Sequence, residues 1–337
     1  IITMKIIVPM AGRGSRLRPH TLTVPKPLVP VAGKPIVHRL VEDIAALSDE
    51  KIDEIAFVIG DFGDAVEKEL VEVAESLGAK GSIYHQEEAL GTAHAIYCAE
   101  PSLRGKTIVA FADTLFRADF RLDTNSDGTI WVNKVDDPSA FGVVKLSNDG
   151  AITDFIEKPK DFVSDLAIIG IYYFKEGETL RDEIKYLLDN YIRDRGEFQI
   201  TDALENMKNK GLRFEPGEVI EWLDCGNRHA TVHSNMRVLE FDPSSKGERN
   251  NVTITDSVVV EPCYIGNNVT ISNSVVGPHV SIGEGTKIDA SVVRNTIIQK
   301  DADIQNLNAE ASMIGSHAKV NGTLADLSVG DYNEITL

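Results

Sequence analysis

The sequence predicts an α/β protein with a Rossmann-like, mostly parallel sheet domain followed by a small left-handed parallel β-helix. Three observations carry this expectation. Over the first half, short β-branched runs alternate with segments of helical period, the pattern of strands joined and covered by helices. Beyond residue 250 the apolar period changes to steps of five or six residues, which neither a helix nor a simple strand gives. Between the two lies the polar stretch Asp242-Pro243-Ser244-Ser245-Lys246-Gly247, a boundary signal. With 337 residues the chain suits two domains, expected at 1–242 and 250–337.

The elements follow in order. Lys5–Val8 reads as a buried strand, and a Gly/Pro-rich stretch runs from Pro9 to Pro35. From Ile36 to Leu47 the spacing of Ile36, Leu40, Ile44 and Leu47 predicts a helix. Ile55–Ile59 is a strand, Ala65–Leu77 a helix closed by Gly78, and Gly81–Tyr84 and Thr107–Phe111 are further strands, with a helix at Thr92–Ala99. From Ile130 to Phe174 the pattern becomes β-rich, and helices are expected at 179–191, 200–210 and 228–240. In a parallel sheet of this type ligands bind beyond the C-terminal strand ends. The loops after Val8, Tyr84 and Phe111 are therefore the places to look. In the second domain, Ile254, Val260, Ile265, Ile271, Val276, Ile282, Ile288, Val293, Ile298 and Ile304 form a hexapeptide pattern, one inward residue per face of a stacked core.

Composition narrows the function. A net charge of −18 argues against general binding to nucleic acid or an anionic membrane surface. The longest apolar runs fall far short of the roughly 20 residues a membrane helix needs. Three scattered cysteines and no signal-peptide pattern suggest a reducing cytoplasm, with Met4 as the natural start. The first 41 residues hold Lys5, Arg13, Arg16, Arg18, Lys26, Lys34 and Arg39 and no acidic residue, while the rest of the chain has 27 basic against 52 acidic. A cationic segment in an acidic protein suits a small polyanionic ligand held locally.

That segment contains Pro9-Met10-Ala11-Gly12-Arg13-Gly14-Ser15-Arg16-Leu17-Arg18-Pro19. Gly12 and Gly14 let backbone N–H groups approach phosphate oxygens. No Gly-Lys-Ser/Thr closes the loop, and Leu17 stands where a dinucleotide fingerprint needs its third glycine. Lys26 follows between Pro25 and Pro27, on a stiff extended backbone that would aim its ammonium.

The loop, Pro25-Lys26-Pro27-Leu28 and Gly33-Lys34-Pro35-Ile36 resemble the sugar-1-phosphate nucleotidylyltransferase family. So do Gln86…Leu90-Gly91-Thr92-Ala93, Phe111-Ala112-Asp113, Phe141-Gly142-Val143-Val144, Glu157-Lys158-Pro159 and Trp222-Leu223-Asp224-Cys225-Gly226. The resemblance covers residues 4–240, and a trailing hexapeptide β-helix occurs in several members. Two departures stand in the loop: Ala11 replaces a usual glycine and Ser15 a threonine.

The resemblance implies an enzyme that joins a nucleoside triphosphate to a sugar 1-phosphate and releases pyrophosphate. A phosphate monoester is mostly ionised at pH 7, so no general base is required. The work is to align two polyanions and neutralise charge at the α-phosphorus and leaving group. Asp113 and Asp224, each at a strand end, become candidate ligands for Mg²⁺. By resemblance, Ala11, Gly12, Gly14, Ser15, Arg16 and Lys26 would hold the triphosphate, and Gln86, Gly91 and Thr92 the base. Glu157 would accept sugar hydroxyls, Lys158 with Arg195 would bind the sugar phosphate, and Gly142 and Gly170 would lie close to the sugar. dTTP or UTP with glucose 1-phosphate is favoured, although Gly91-Thr92-Ala93-His94-Ala95 also resembles enzymes making UDP-N-acetylglucosamine. A homo-oligomer through the β-helix is expected. Two alternatives remain: acetyl transfer in the β-helix through His279 or His317, and a catalytically silent nucleotide-sugar sensor or assembly subunit.

Overall fold

The computed structural model describes residues 3–12, 14–323, 329 and 334. Arg13 and the remaining C-terminal residues of the 250–337 region lie outside the described residues. The chain forms two compact units: one ends at Thr231 and excludes Pro30–Gly33, and the other takes Pro30–Gly33 and the chain from Val232 onward.

The first unit is built on β1 (Thr3–Pro9). Two short strands follow, β2 (Pro30–Val31) and β3 (Lys34–Pro35), then α1 (Ile36–Ala46), β4 (Lys51–Ile59), α2 (Asp64–Ser76), β5 (Lys80–His85), α3 (Thr92–Tyr97) and β6 (Lys106–Ala110). Next come β7 (Thr114–Arg117), β8 (Gly128–Lys134), β9 (Gly142–Leu146), β10 (Ile152–Glu157) and β11 (Leu166–Phe174). α4 (Gly177–Asp189), α5 (Ile200–Asn209), β12 (Phe214–Glu218), β13 (Glu221–Asp224) and α6 (Arg228–Phe241) complete the series, of which β2 and the part of α6 from Val232 onward belong to the second unit. The main sheet runs β10-β9-β11-β6-β1-β4-β5, with β8 and β12 branching from β11. The strands β6, β1, β4 and β5 are parallel, and β11 pairs antiparallel with β6, β8 and β9. The β-rich segment therefore supplies the antiparallel half of a mixed sheet.

Three strands carry only a weak apolar signature in the sequence. β7 is only four residues long, and in β10 Thr153, Asp154 and Glu157 interrupt Ile152, Phe155 and Ile156. β12 holds Pro216 and Gly217 and pairs only with β8, the edge position that tolerates a proline.

A polar network ties β1, β4 and β5 together beneath the site. Glu54 on β4 is buried, lies 3.2 Å from Lys5 Nζ, and accepts from the hydroxyls of Ser82 (2.6 Å) and Ser102 (2.9 Å). Burial alone would raise its carboxyl, but the bonds from Ser82, Ser102 and Lys5 win and hold it below the usual carboxylate value.

The second unit contains a three-sided parallel β-helix, as the hexapeptide period requires. One face stacks Thr253–Thr255, Thr270–Ser272, Lys287–Asp289, Asp303–Gln305 and Lys319–Asn321. Val258–Val259, Val275–Val276, Val292–Arg294 and Asn308–Glu310 form the second, and Cys263–Ile265, Val280–Ile282, Ile297–Ile298 and Met313–Ile314 the third. Ile265, Ile271, Val276, Ile282, Ile288, Val293, Ile298 and Ile304 are buried as expected. Ile254 and Val260 are not: they are 46% and 40% exposed. Both belong to the first coil, which has no preceding coil to cover it.

The corners need left-handed backbone. Asn251, Asn268, Gly285, Asp301 and His317 occupy one column at positive φ, Asp256, Asn273, Ala290 and Asn306 a second, and His279, Asn295 and Ala311 a third. His279 and His317 are thus corner residues, paired with Glu240 at 3.1 Å and Asp301 at 3.7 Å. Among the described residues no helix is long and apolar enough to cross a membrane.

The Glu54 network yields a pH prediction. Because the folded carboxyl titrates below its unfolded value, its stabilisation is present above that value and lost as pH falls through the folded one. Glu54→Gln should cost about 1–3 kcal/mol at pH 7. Urea unfolding should show that difference constant at neutral pH and shrinking below pH 4.5, the group's ordinary value. A difference independent of pH would remove the charged network from the explanation.

Candidate active site

β1 ends the parallel stack at Pro9, and the chain leaves it still bonded to β4 through Met10 N–H to the Val58 carbonyl at 2.8 Å. The loop then turns at Gly14, which is left-handed at φ 60°. A Cβ there would sit 2.8 Å from Lys26 Cβ, so glycine allows the two segments to touch. Thr21 Oγ1 donates to the Gly14 carbonyl at 2.7 Å and fixes the turn. Ser15–Leu17 form a 3-10 turn in which Leu17 is buried while Ser15 and Arg16 stay exposed. The apolar anchor holds a cation up into solvent.

Lys26 does not sit on an extended backbone. Pro25 is extended, but Lys26–Leu28 form a 3-10 turn. Pro27 tolerates this because its ring fixes φ near the helical value and the turn needs no N–H from it. The stem of Lys26 is buried, and Nζ donates to Asp113 Oδ2 at 2.9 Å.

Asp113 precedes β7, and Asp224 ends β13. Those strands pair antiparallel with Asp224 opposite Thr114, and Cys225 N–H donates to the Asp113 carbonyl at 2.9 Å. Two carboxylates distant in sequence are thereby brought together. The Asp224 carboxyl is raised above its ordinary value, first by burial and then by the charge of Asp113. The Gly226 N–H at 2.8 Å, Lys26 and Arg16 act in the opposite direction. A Cβ on Gly226 would fall 2.9 Å from Asp224 Oδ1 and 3.2 Å from an Arg16 guanidinium nitrogen. Arg16, Lys26, Asp113 and Asp224 therefore form one charged cluster.

A cavity of about 240 Å³ opens onto it, lined by Gly12, Gly14, Ser15, Arg16, Lys26 and Asp113 among others. A second, of about 220 Å³, is lined by Ala11, Gly12, Gln86, Gly91, Thr92 and Glu197 among others. Both share Pro9, Met10, Gly12 and Phe111, so they are two ends of one cleft. A Cβ on Gly12 would meet no protein atom. The predicted loop and base residues thus meet in this cleft. The Thr92 hydroxyl is engaged elsewhere: it donates to Gln199 Oε1 at 3.1 Å and accepts from Ile200 N–H at 3.0 Å. Gly91, at φ 117°, comes so close to the Phe198 carbonyl that a Cβ would lie at 2.4 Å. These two residues splice α3 to the start of α5.

Glu157, Lys158, Arg195, Gly142 and Gly170 line neither cavity but gather beside them. Glu157 faces Gly142 across the β9–β10 pair, accepts from Thr201 Oγ1 at 3.1 Å and lies 3.4 Å from Lys158 Nζ. Arg195 donates to the Lys158 carbonyl at 2.8 Å. The Gly170 carbonyl accepts from Phe111 N–H at 3.0 Å.

Sequence reasoning missed Tyr172, Gly226, Asp202 and Glu197. Tyr172 is buried, and its phenol is raised by that burial and by the charges of Glu157 and Asp113. One carboxylate from each group of predicted residues thus acts on it. Asp202 is raised by burial and by Asp194 and Glu157. Gly226 lay in a quoted motif, but Tyr172 belongs to a continuous apolar run that carries no polar signal.

The charged cluster suits a cation bridged to a polyanion. Asp113 and Asp224 repel each other, and among the described residues no group of three or more His, Cys, Asp or Glu forms a full cage. Two carboxylates with the remaining positions left to phosphate and water is the usual Mg²⁺ arrangement.

Residues 5–240 match the family model described as nucleotidyl transferase. The chain is 31% identical over 267 residues to the bifunctional protein GlmU of Methanococcus vannielii, covering 77% of this chain and 61% of that protein. The chain thus spans about 61% of the length of that relative. It is 32% identical over 269 residues to a glucose-1-phosphate thymidylyltransferase of Streptomyces antibioticus, covering 76% and 72%. A crystal structure described as a glucose-1-phosphate thymidylyltransferase of Bacillus anthracis superposes with a TM-score of 0.58 at 25% identity, covering 69% of this chain and 94% of that one.

The Gly226 contact can be tested with inorganic pyrophosphate as a polyanion probe. Gly226→Ala should weaken its binding about tenfold, ~1.4 kcal/mol, with thermal unfolding unchanged. Calorimetric titration giving wild-type affinity would separate Arg16 and Asp224 from the anion site.

Proposed function

The chain belongs to the nucleotidyl transferase family, and from that premise we propose that it joins a nucleoside triphosphate to a sugar 1-phosphate and releases pyrophosphate. The observation that carries this reading is the cluster of Arg16, Lys26, Asp113 and Asp224 at the phosphate end of the cleft. In the reaction a sugar-phosphate oxygen bonds to the α-phosphorus, and the α–β bridging bond breaks with its electrons leaving on pyrophosphate. The nucleophile is already ionised at pH 7, so no protein base removes a proton.

The residues then have simple roles. Backbone N–H groups of Ala11, Gly12, Gly14 and Ser15 and the side chains of Arg16 and Lys26 hold the triphosphate. Arg16, exposed at the cleft, offsets the charge that gathers on the leaving group. Lys26 is buried against Asp113 and orients that carboxylate. The family works with a divalent metal, and Asp113 with Asp224 would hold Mg²⁺, whose charge polarises phosphoryl oxygens when it is bound. Glu157 receives sugar hydroxyls, and Lys158 with Arg195 receives the sugar phosphate. Gln86 and the Gly91 turn face the base. A pyrimidine triphosphate, dTTP or UTP, with glucose 1-phosphate is the favoured pairing. It is supported by Gln86 at the base end and by the likeness to a thymidylyltransferase.

The test is pyrophosphate release with Mg²⁺, crossing dTTP, UTP, CTP, GTP and ATP with glucose, N-acetylglucosamine and mannose 1-phosphates. One pairing should dominate, and Asp113→Ala should lower its rate by at least about 10²-fold. Release that survives Asp113→Ala undiminished would overturn the assignment of the carboxylates. Silence across the grid from folded protein would overturn the reaction.

A further inference from the structure

The base end of the cleft holds a hydrogen bond for which the proposed reaction assigns no role. Gln86 lines the cavity, whereas His94, within α3, does not. Gln86 Nε2 lies 3.1 Å from His94 Nδ1. Burial lowers the ring below its ordinary value, opposed by the Glu88 charge and by a hydrogen bond to the Glu88 backbone. The ring is therefore neutral at pH 7, with one N–H and one lone pair. An amide nitrogen can only donate, so Nδ1, with Gln86 Nε2 facing it, accepts, and the ring N–H stands at Nε2. The Gln86 amide then keeps its NH₂ turned toward His94. Its Oε1 and its second N–H remain for the cavity.

We propose that His94 is a positioning residue that locks the Gln86 amide, so that the site selects a uracil or thymine nucleotide over a cytosine nucleotide. This rests on the nucleotidylyl-transfer reading of the cleft. Uracil and thymine present an N3–H beside carbonyl oxygens. Oε1 accepts from that N3–H, and the remaining amide N–H donates to a neighbouring carbonyl. Cytosine presents a lone pair at N3 beside an amino group, and needs the amide reversed. In the locked orientation acceptor meets acceptor and donor meets donor, which leaves buried polar groups unpaired. Without the lock the amide rotates and either edge fits.

The experiment measures dissociation constants of UTP, dTTP and CTP with Mg²⁺ by isothermal titration, on the full chain and its variants. The wild type should bind UTP or dTTP at least about tenfold tighter than CTP. In His94→Leu that ratio should fall to within about threefold, as it should in Gln86→Leu. His94→Gln, whose carbonyl still accepts, should keep most of the ratio. The wild type also gives a readout that needs no variant: imidazole nitrogen NMR at pH 7 should report the neutral Nε2–H tautomer at His94. A Nδ1–H tautomer, or an unchanged ratio in His94→Leu beside a lost one in Gln86→Leu, overturns the proposal alone. A wild type that prefers ATP or GTP overturns the base reading of the cleft, and this proposal with it.

Discussion

The proposed chemistry depends on holding two like charges together. Asp113 and Asp224 are more than a hundred residues apart in sequence, and the β7–β13 pair forces them into one cluster. Left alone, the arrangement would be unfavourable: burial first, and then the charge of Asp113, raise the carboxyl of Asp224. Lys26 offsets it from one side at 2.9 Å, and Arg16 lies near Asp224. The rest of the first unit can be understood as what keeps these four side chains in place. Leu17 anchors the loop carrying Arg16, Pro25 and Pro27 fix the turn carrying Lys26, and the Glu54 network ties the strands beneath.

Backbone, as much as side chain, shapes the cleft. Gly14 allows the loop to touch Lys26, Gly91 allows α3 to meet the Phe198 carbonyl, and Gly226 leaves space for Asp224 and Arg16. Each is a position where a methyl group would collide with something the site needs. Phe111 joins the ends of the cleft, since it lines both cavities, and its ring meets that of Tyr172 edge-on at 6.3 Å. The β-helix of the second unit is governed by a different constraint, the left-handed corner, and its Asn, Asp, Gly and His columns answer it. His279 and His317 therefore have a conformational reason to be where they are.

Much of this was legible in the residues. The hexapeptide period gave the β-helix because one inward residue per face is a strong constraint, and Ile271, Ile288 and Ile304 stack as it requires. The loop from Pro9, the lysine between prolines and the two Asp motifs marked the charged end of the cleft, because polyanion chemistry leaves charged residues beside glycine and proline. The strand β12 was not legible: Pro216 and Gly217 argue against a strand, and only an edge position permits them.

The sequence by itself determined the two architectures, the charged loop and the identity of the four residues at its cluster. It could do so because period and residue type are local properties. Only the tertiary structure decided that Asp113 and Asp224 share one site, that Phe111 packs edge-on against Tyr172, that the Thr92 hydroxyl is engaged with α5, and that the Gln86 amide lies 3.1 Å from His94 Nδ1. Each of these is a distance between residues on different elements or across a turn. Such distances are set by strand register and by which hydrogen-bond partner is nearest, and neither quantity is written in the residues that carry the chemistry.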